Sequence, residues 1–180
     1  MKGTLSGEEW MAALQRLADA SGKDGAPIRL CLIGSAACLF GGMEGRTSRD
    51  LDVWKPASDY DRGELARAAE AVGLHFDPRS TLEPDRPYLQ ILDPIPVELG
   101  PFEPVFIDRL GRLQLFRPPI ENLVVSKLIR CEPRDLSDIR FLMSRHRPDG
   151  AAIRRLIAGL SPANRQRAEE NLIYLSVIEP

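Results

Sequence analysis

The sequence predicts an α+β fold, in which a small mixed β-sheet flanked by helices is followed by a helical C-terminal part. Short apolar runs typical of strands are confined to the first two thirds of the chain, and helical periodicity dominates after residue 118. With 180 residues, 43% of them hydrophobic and 28% charged, the composition is that of a globular protein. We expect a core domain at residues 1–117 and a helical subdomain at residues 118–180 packed on it.

The first part alternates between helices and short strands. Ser6, followed by two glutamates, predicts the N-cap of a first helix. An apolar run at residues 28–33, bounded by turn residues, predicts a buried strand. The next predicted elements are a short helix at residues 36–40, a strand at 50–54, a helix at 61–72, a loop at 74–87, and strands at 88–92, 105–107 and 113–116.

The C-terminal part predicts four helices. The first covers residues 120–131 and the second residues 135–146, with Asp135 as a candidate N-cap and Asp138 three positions later. Pro148-Asp149 opens the third helix. Ser161-Pro162 opens the fourth, because proline is favoured at the first helical position.

Charge and cysteine content exclude several classes of protein. Lys and Arg number 24 against 26 Asp and Glu, so nucleic-acid contact would need a local patch. The arginines around residues 145–147, 154–155 and 165–167 form either a solvated face or a modest RNA or partner surface. Three cysteines cannot all pair internally, no apolar run approaches a membrane span, and Met1 opens no leader. We expect a reduced, cytoplasmic protein with no membrane partner.

Two aspartates carry the clearest chemical signal. Asp50 and Asp52 are two positions apart on a predicted strand, so both carboxylates lie on one face. Such a pair is often no more than a solvated strand face, but two like charges this close repel. A divalent cation, Mg²⁺ or Mn²⁺, would offset that repulsion through hard oxygen ligands.

A glycine-serine turn precedes the aspartates. Gly34 and Ser35 lie between the predicted strand and the short helix, where the backbone can approach a phosphate closely and a hydroxyl is at hand. A phosphate-binding turn followed by metal-binding carboxylates on the next strand is a layout for nucleotide transfer.

The sequence LIGSAA at residues 32–37, with RTSRDLDV at residues 46–53, resembles the signature of the DNA polymerase β-type nucleotidyltransferase superfamily. More narrowly, it resembles small bacterial nucleotidyltransferase-like proteins near the AbiEii toxins of toxin–antitoxin systems. Residues 119–129 and 134–139 resemble two helices that follow the sheet in those families. The resemblance covers roughly residues 28–142.

The resemblance implies roles for further residues. The helix with Lys127 carries leucine and valine on one face, and Lys127 lies on that face, so it either reaches outward or meets an anion. In the resembled families the equivalent lysine points into the nucleotide site. Asp138 would support Lys127 or a nearby arginine, or else serve only in capping. Arg46 or Arg49 would contact the triphosphate or the acceptor.

One position departs from the family pattern. The superfamily carries a third acid on a later central strand, and Gln90 stands at the best-matching position here. Glutamine can hydrogen-bond but cannot take up a proton. Asp93 and Glu98 are alternatives that require a shifted register.

Together these features make the chain a candidate metal-dependent nucleotidyltransferase. It would transfer a nucleoside monophosphate from an NTP to a hydroxyl acceptor on RNA, a protein or a small molecule. The missing third carboxylate would weaken this activity. The alternative is a non-catalytic module that binds a nucleotide or a partner, for instance the antitoxin of a toxin–antitoxin pair.

Overall fold

The computed structural model describes residues 3–78, 86–94 and 97–178. The chain divides into two compact units. The sheet unit comprises Met1–Asp93 and Pro104–Arg117, and the helical unit comprises Pro94–Glu103 and Pro118–Pro180. The expected α+β class is confirmed. The helical unit also takes in Pro94–Glu103, which the sequence analysis placed in the first domain.

In its described residues, the sheet unit contains three sheets and three α-helices. Strand β4 pairs in parallel with β6, which pairs in parallel with β5. Strand β8 lies between β2, its parallel neighbour, and β7, its antiparallel neighbour. The elements are β1 (Leu5–Ser6), α1 (Gly7–Ala20), β2 (Ile28–Cys31), α2 (Ala36–Phe40), β3 (Thr47–Ser48), β4 (Asp50–Trp54), α3 (Arg62–Ala71), β5 (His75–Phe76), β6 (Tyr88–Leu92), β7 (Val105–Leu110) and β8 (Leu113–Arg117).

The core of the sheet unit lies between the apolar faces of the strands and the helices α1 and α3. Alternate residues of β4 and β6 enter it, which is the period-2 pattern of a half-buried strand. Helix α1 begins as predicted, because Ser6 and Glu9 form a reciprocal capping box. Trp10 is fully buried and its indole N–H donates to the carbonyl of Ser48 at 3.1 Å, which ties α1 to β3.

The helical unit is organised around one helix. Helix α4 packs against α5, α6 and α7, so it is buried around most of its circumference. The side-chain amide of Asn122 donates to the carbonyls of Leu99 and Pro101 and holds the preceding loop in this unit. The helices are α4 (Ile120–Arg130), α5 (Pro133–His146), α6 (Gly150–Ala158), α7 (Pro162–Asn171) and α8 (Ile173–Ile178).

Two local predictions need correction, at the start of α5 and in the stretch before β6, and one is confirmed with a different side-chain contact. Asp135 is not the N-cap of α5. The helix begins at Pro133 after Glu132, and Glu132 and Asp135 form the capping box. Ser161 is the N-cap residue before Pro162, as predicted, and its hydroxyl donates to Glu98 instead of forming a side-chain capping bond. The stretch predicted as a loop contains β5, while residues 79–85 lie outside the described residues.

No helix within the described ranges is both long and apolar enough to cross a membrane.

Candidate functional site

Asp50 and Asp52 lie on one face of β4, as predicted. Leu51 and Val53, which alternate with them, are buried in the core, while both aspartates are half-buried. The two carboxylates therefore occupy the polar face of the β4-β6-β5 sheet.

Gly34 lies directly against Asp52. The segment that leaves β2 runs antiparallel to β4, with the Ile33 N–H donating to the Asp52 carbonyl at 2.9 Å. Gly34 has a φ of +65°, and a Cβ atom added there would overlap the Asp52 carboxylate oxygen Oδ2 and lie 3.4 Å from its Cγ. Only glycine combines this backbone conformation with so close a carboxylate. The glycine-serine turn and the aspartate strand thus meet at one point.

Hydrogen bonds fix the carboxylate of Asp50. The Ser48 hydroxyl donates to Asp50 Oδ1 at 2.7 Å, and the Tyr88 hydroxyl approaches Oδ2 at 3.5 Å. Burial, followed by the negative charges of Asp50 and Asp52, raises the pKa of Tyr88 above its usual value, while Arg49 opposes the rise. Tyr88 therefore stays a neutral phenol that can donate a hydrogen bond within the site.

Arg49 and Ser35 offer groups that could contact an anion. The charge of Arg49 acts on the Tyr88 hydroxyl, and no hydrogen-bond partner among the described residues meets its buried Nε. Ser35 precedes α2 but makes no side-chain capping bond, so its hydroxyl is not committed to the helix. Arg46 is half-buried and reaches the carbonyl of Thr47 at 3.4 Å.

Gln90 stands where the resemblance places a third acid. It is the register partner of Asp52 on the neighbouring parallel strand, so both side chains share the polar face. Its side-chain amide donates to Asp77 Oδ1 at 2.9 Å. The alternatives lie elsewhere: Asp93 pairs with exposed Lys55, and Glu98 belongs to the helical unit, where it accepts from Ser161.

Asp77 is a residue that the sequence analysis missed. It follows β5 at a φ of +48°, a left-handed conformation that non-glycine residues seldom adopt. Its carboxylate accepts from Gln90, from the Ile91 N–H at 3.3 Å and from the Arg62 guanidinium. The hydrogen bond to Asp77 raises the pKa of Arg62. Residues in sparsely populated backbone conformations cluster at functional sites, so the positive φ makes Asp77 a further candidate site residue.

Lys127 and Asp138 lie in the helical unit, away from solvent. The Lys127 ammonium is 2.7 Å from Asp138 Oδ2 and 3.5 Å from Asp135 Oδ1, and all three side chains are at most 3% exposed. Asp138 thus pairs with Lys127, which was the first of the two partners expected for it, the other being a nearby arginine. A role for Lys127 in phosphate binding stays a prediction.

The donor set on β4 fits a hard divalent cation only in part. Asp50 and Asp52 supply two carboxylates on one face, which suits Mg²⁺. No group of three or more His, Cys, Asp or Glu side chains in the described part of the chain is arranged to hold a metal ion. Substrate phosphate oxygens would have to complete the coordination shell.

Comparison of the chain with protein-family models, with curated proteins and with solved structures gives no match.

Proposed function

We propose that the sheet unit binds an Mg²⁺–NTP complex and transfers its nucleoside monophosphate slowly to a hydroxyl acceptor. The observation that carries this proposal is the contact between Gly34 and the Asp52 carboxylate. It brings a turn whose glycine has no side chain next to the carboxylate pair that would hold the metal of a metal–phosphate complex.

Each residue of the site has a role in this reaction. Asp50 and Asp52 would hold Mg²⁺, which when bound supplies positive charge against the phosphate oxygens. Ser35 and Arg49 would donate to the triphosphate, and Tyr88 would hold Asp50 in place through its hydroxyl. The acceptor oxygen forms a bond to the α-phosphorus, the α–β anhydride bond breaks, and pyrophosphate leaves. The acceptor proton must pass to a base.

The base is the weak part of the site. Gln90 cannot take the proton. Asp77 is a carboxylate on the same face, but Gln90 and Arg62 already occupy it. General-base catalysis typically contributes about 10²–10⁴-fold to a rate, so transfer would be slow. The same observation favours the alternative, a module that binds a nucleotide without transferring it.

Replacement of either aspartate is expected to weaken nucleotide binding. In calorimetric titrations with Mg²⁺ and each of the four NTPs, Asp52→Asn and Asp50→Asn should each weaken affinity by at least about tenfold, since even groups that only support a metal ligand contribute that much. Asp59→Asn is the control, because it removes the same charge from an exposed position of the same unit. Failure of all four NTPs to bind the unaltered protein with Mg²⁺ or Mn²⁺ would refute the proposal.

A carboxylate at position 90 is expected to complete the site. Gln90→Asp places a third acid in register with Asp52 and close to Asp77, so repulsion should lower the melting temperature in metal-free buffer. Mg²⁺ or Mn²⁺ should restore that temperature and raise the transfer of label from NTP to extracted RNA or protein. Gln114→Asp, at a half-buried strand position of the other sheet, should show no metal-dependent recovery. Recovery of both variants alike would contradict a metal site on this face.

A further inference from the structure

Helix α5 presents a basic face whose charge the helical unit does not neutralise. Its two aspartates point inward, where Asp138 pairs with Lys127, and Asp135 pairs with Arg130 through two hydrogen bonds of 2.7 Å. The hydrogen bond from Arg130, with the charges of Lys127 and Arg130, outweighs burial and lowers the pKa of Asp135 below its usual value. Both acids of α5 are therefore paired with cations within the fold.

The outward residues of α5 carry charge of one sign. Arg134, Arg140 and Arg145 are exposed, and no acidic side chain of the described residues forms an ion pair with any of them. Ser137 and Ser144 lie on the outward side too, and their hydroxyls return to backbone carbonyls of the helix. Guanidinium groups are always charged and match phosphate geometry in pairs of hydrogen bonds.

Helix stabilisation does not account for this face. Cations near a helix C-terminus favour the helix dipole, which explains the position of Arg145. Arg134 lies in the first turn, where the dipole disfavours a positive charge, and Arg140 lies in the middle of the helix. A polyanionic partner would compensate both.

The residues between the arginines indicate which polyanion fits. Phe141, partly exposed, stands seven positions after Arg134 and four before Arg145, so the three lie along one side of the helix over about 16 Å. An aromatic ring between two arginines suits single-stranded nucleic acid, in which a base can stack on the ring while phosphates pair with the guanidinium groups. A membrane surface fits less well, because the apolar residues Ile139 and Leu142 of α5 are fully buried.

We propose that the outward face of α5 binds single-stranded nucleic acid, with Arg134, Arg140 and Arg145 on phosphates and Phe141 against a base. The binding is sequence-independent, because contacts to backbone phosphates and stacking on a base face do not distinguish one base from another. It is also independent of the nucleotidyl transfer proposed above, since it requires neither nucleotide nor metal.

The test is a fluorescence anisotropy titration with a labelled 20-nucleotide single-stranded RNA at 50 and 200 mM salt. The combined change Arg134→Gln, Arg140→Gln and Arg145→Gln should weaken binding at least tenfold at 50 mM salt. It should also reduce the slope of log K against log salt by about 2, since each phosphate contact contributes about 0.7 for single strands. Phe141→Leu should weaken single-stranded binding several-fold and leave weak duplex binding unchanged.

The matched control removes the same charge from exposed sites of the same unit, through Arg154→Gln, Arg165→Gln and Arg167→Gln. It should change affinity less than twofold. The Asp52→Asn variant should bind RNA as the unaltered protein does, so that loss of nucleotide binding and loss of RNA binding are read separately. Three results would overturn the proposal: no RNA binding at 50 mM salt, equal weakening by both triple variants, or tighter binding to duplex RNA, polyglutamate or anionic vesicles than to single-stranded RNA.

Discussion

Lys127→Met is expected to lower the free energy of unfolding of the helical unit by about 3–5 kcal/mol, the usual cost of removing one partner of a buried ion pair. The Lys127 ammonium lies 2.7 Å from Asp138 Oδ2, and both side chains are at most 3% exposed. Methionine keeps most of the length of the side chain, so the loss would reflect mainly the missing positive charge beside Asp138 rather than a cavity. Urea denaturation followed by circular dichroism measures it.

Two further variants test whether the loss of stability comes from leaving one charge of a buried pair without the other. Lys127→Met combined with Asp138→Leu removes both charges and should recover most of the stability, because a buried pair replaced by apolar residues is often neutral. Lys55→Met breaks the pair with Asp93, in which both side chains are about 60% exposed, and should cost less than about 1 kcal/mol. A cost below about 1 kcal/mol for Lys127→Met would contradict a structural role for the pair.

The double variant also tests the role that the family resemblance implies. If Lys127 only stabilises α4 against α5, the stable double variant should bind Mg²⁺–NTP as the unaltered protein does. If the folded double variant instead binds the nucleotide at least tenfold more weakly, the result would support phosphate binding by Lys127.

Local patterns predicted much of the fold. The alternation of Asp50, Leu51, Asp52 and Val53 correctly gave one polar and one buried face, because side-chain direction follows directly from strand geometry. Helix α5 begins with Pro133, and proline is favoured at the first helical position. The prediction of Asp135 as the N-cap gave this signal too little weight. The strands β1, β3 and β5 have two residues each, which is too short for any period to be seen.

Contacts between residues that are far apart along the chain could not be predicted from the sequence. Asp77 stands in a stretch without periodicity, and only the pairing of β5 with β6 brings it to Gln90. The contact between Gly34 and Asp52 likewise depends on how the segment after β2 crosses β4. The sequence indicated which residues were chemically suited to a site, whereas strand pairing decides which of them meet.

Gly34→Ala is expected to weaken nucleotide binding at least tenfold, through two separable effects. The first is backbone strain, because alanine at a φ of +65° costs about 1–2 kcal/mol. The second is local, since the new methyl group would overlap Asp52 Oδ2 and push the carboxylate away from Asp50. Gly45→Ala isolates the first effect: Gly45 has a φ of +68°, and a Cβ atom there would meet nothing within 4 Å.

The two alanine variants are compared in unfolding free energy and in nucleotide affinity. Both should lose about 1–2 kcal/mol of unfolding free energy, and Gly34→Ala should lose more, because either Asp52 or the turn must move. Calorimetric titration with Mg²⁺–NTP should show affinity close to that of the unaltered protein for Gly45→Ala, and a loss of at least tenfold for Gly34→Ala. Equal affinities in the two variants would mean that the turn carries no part of the nucleotide, and the phosphate contact would then have to be sought at Arg49 and Tyr88.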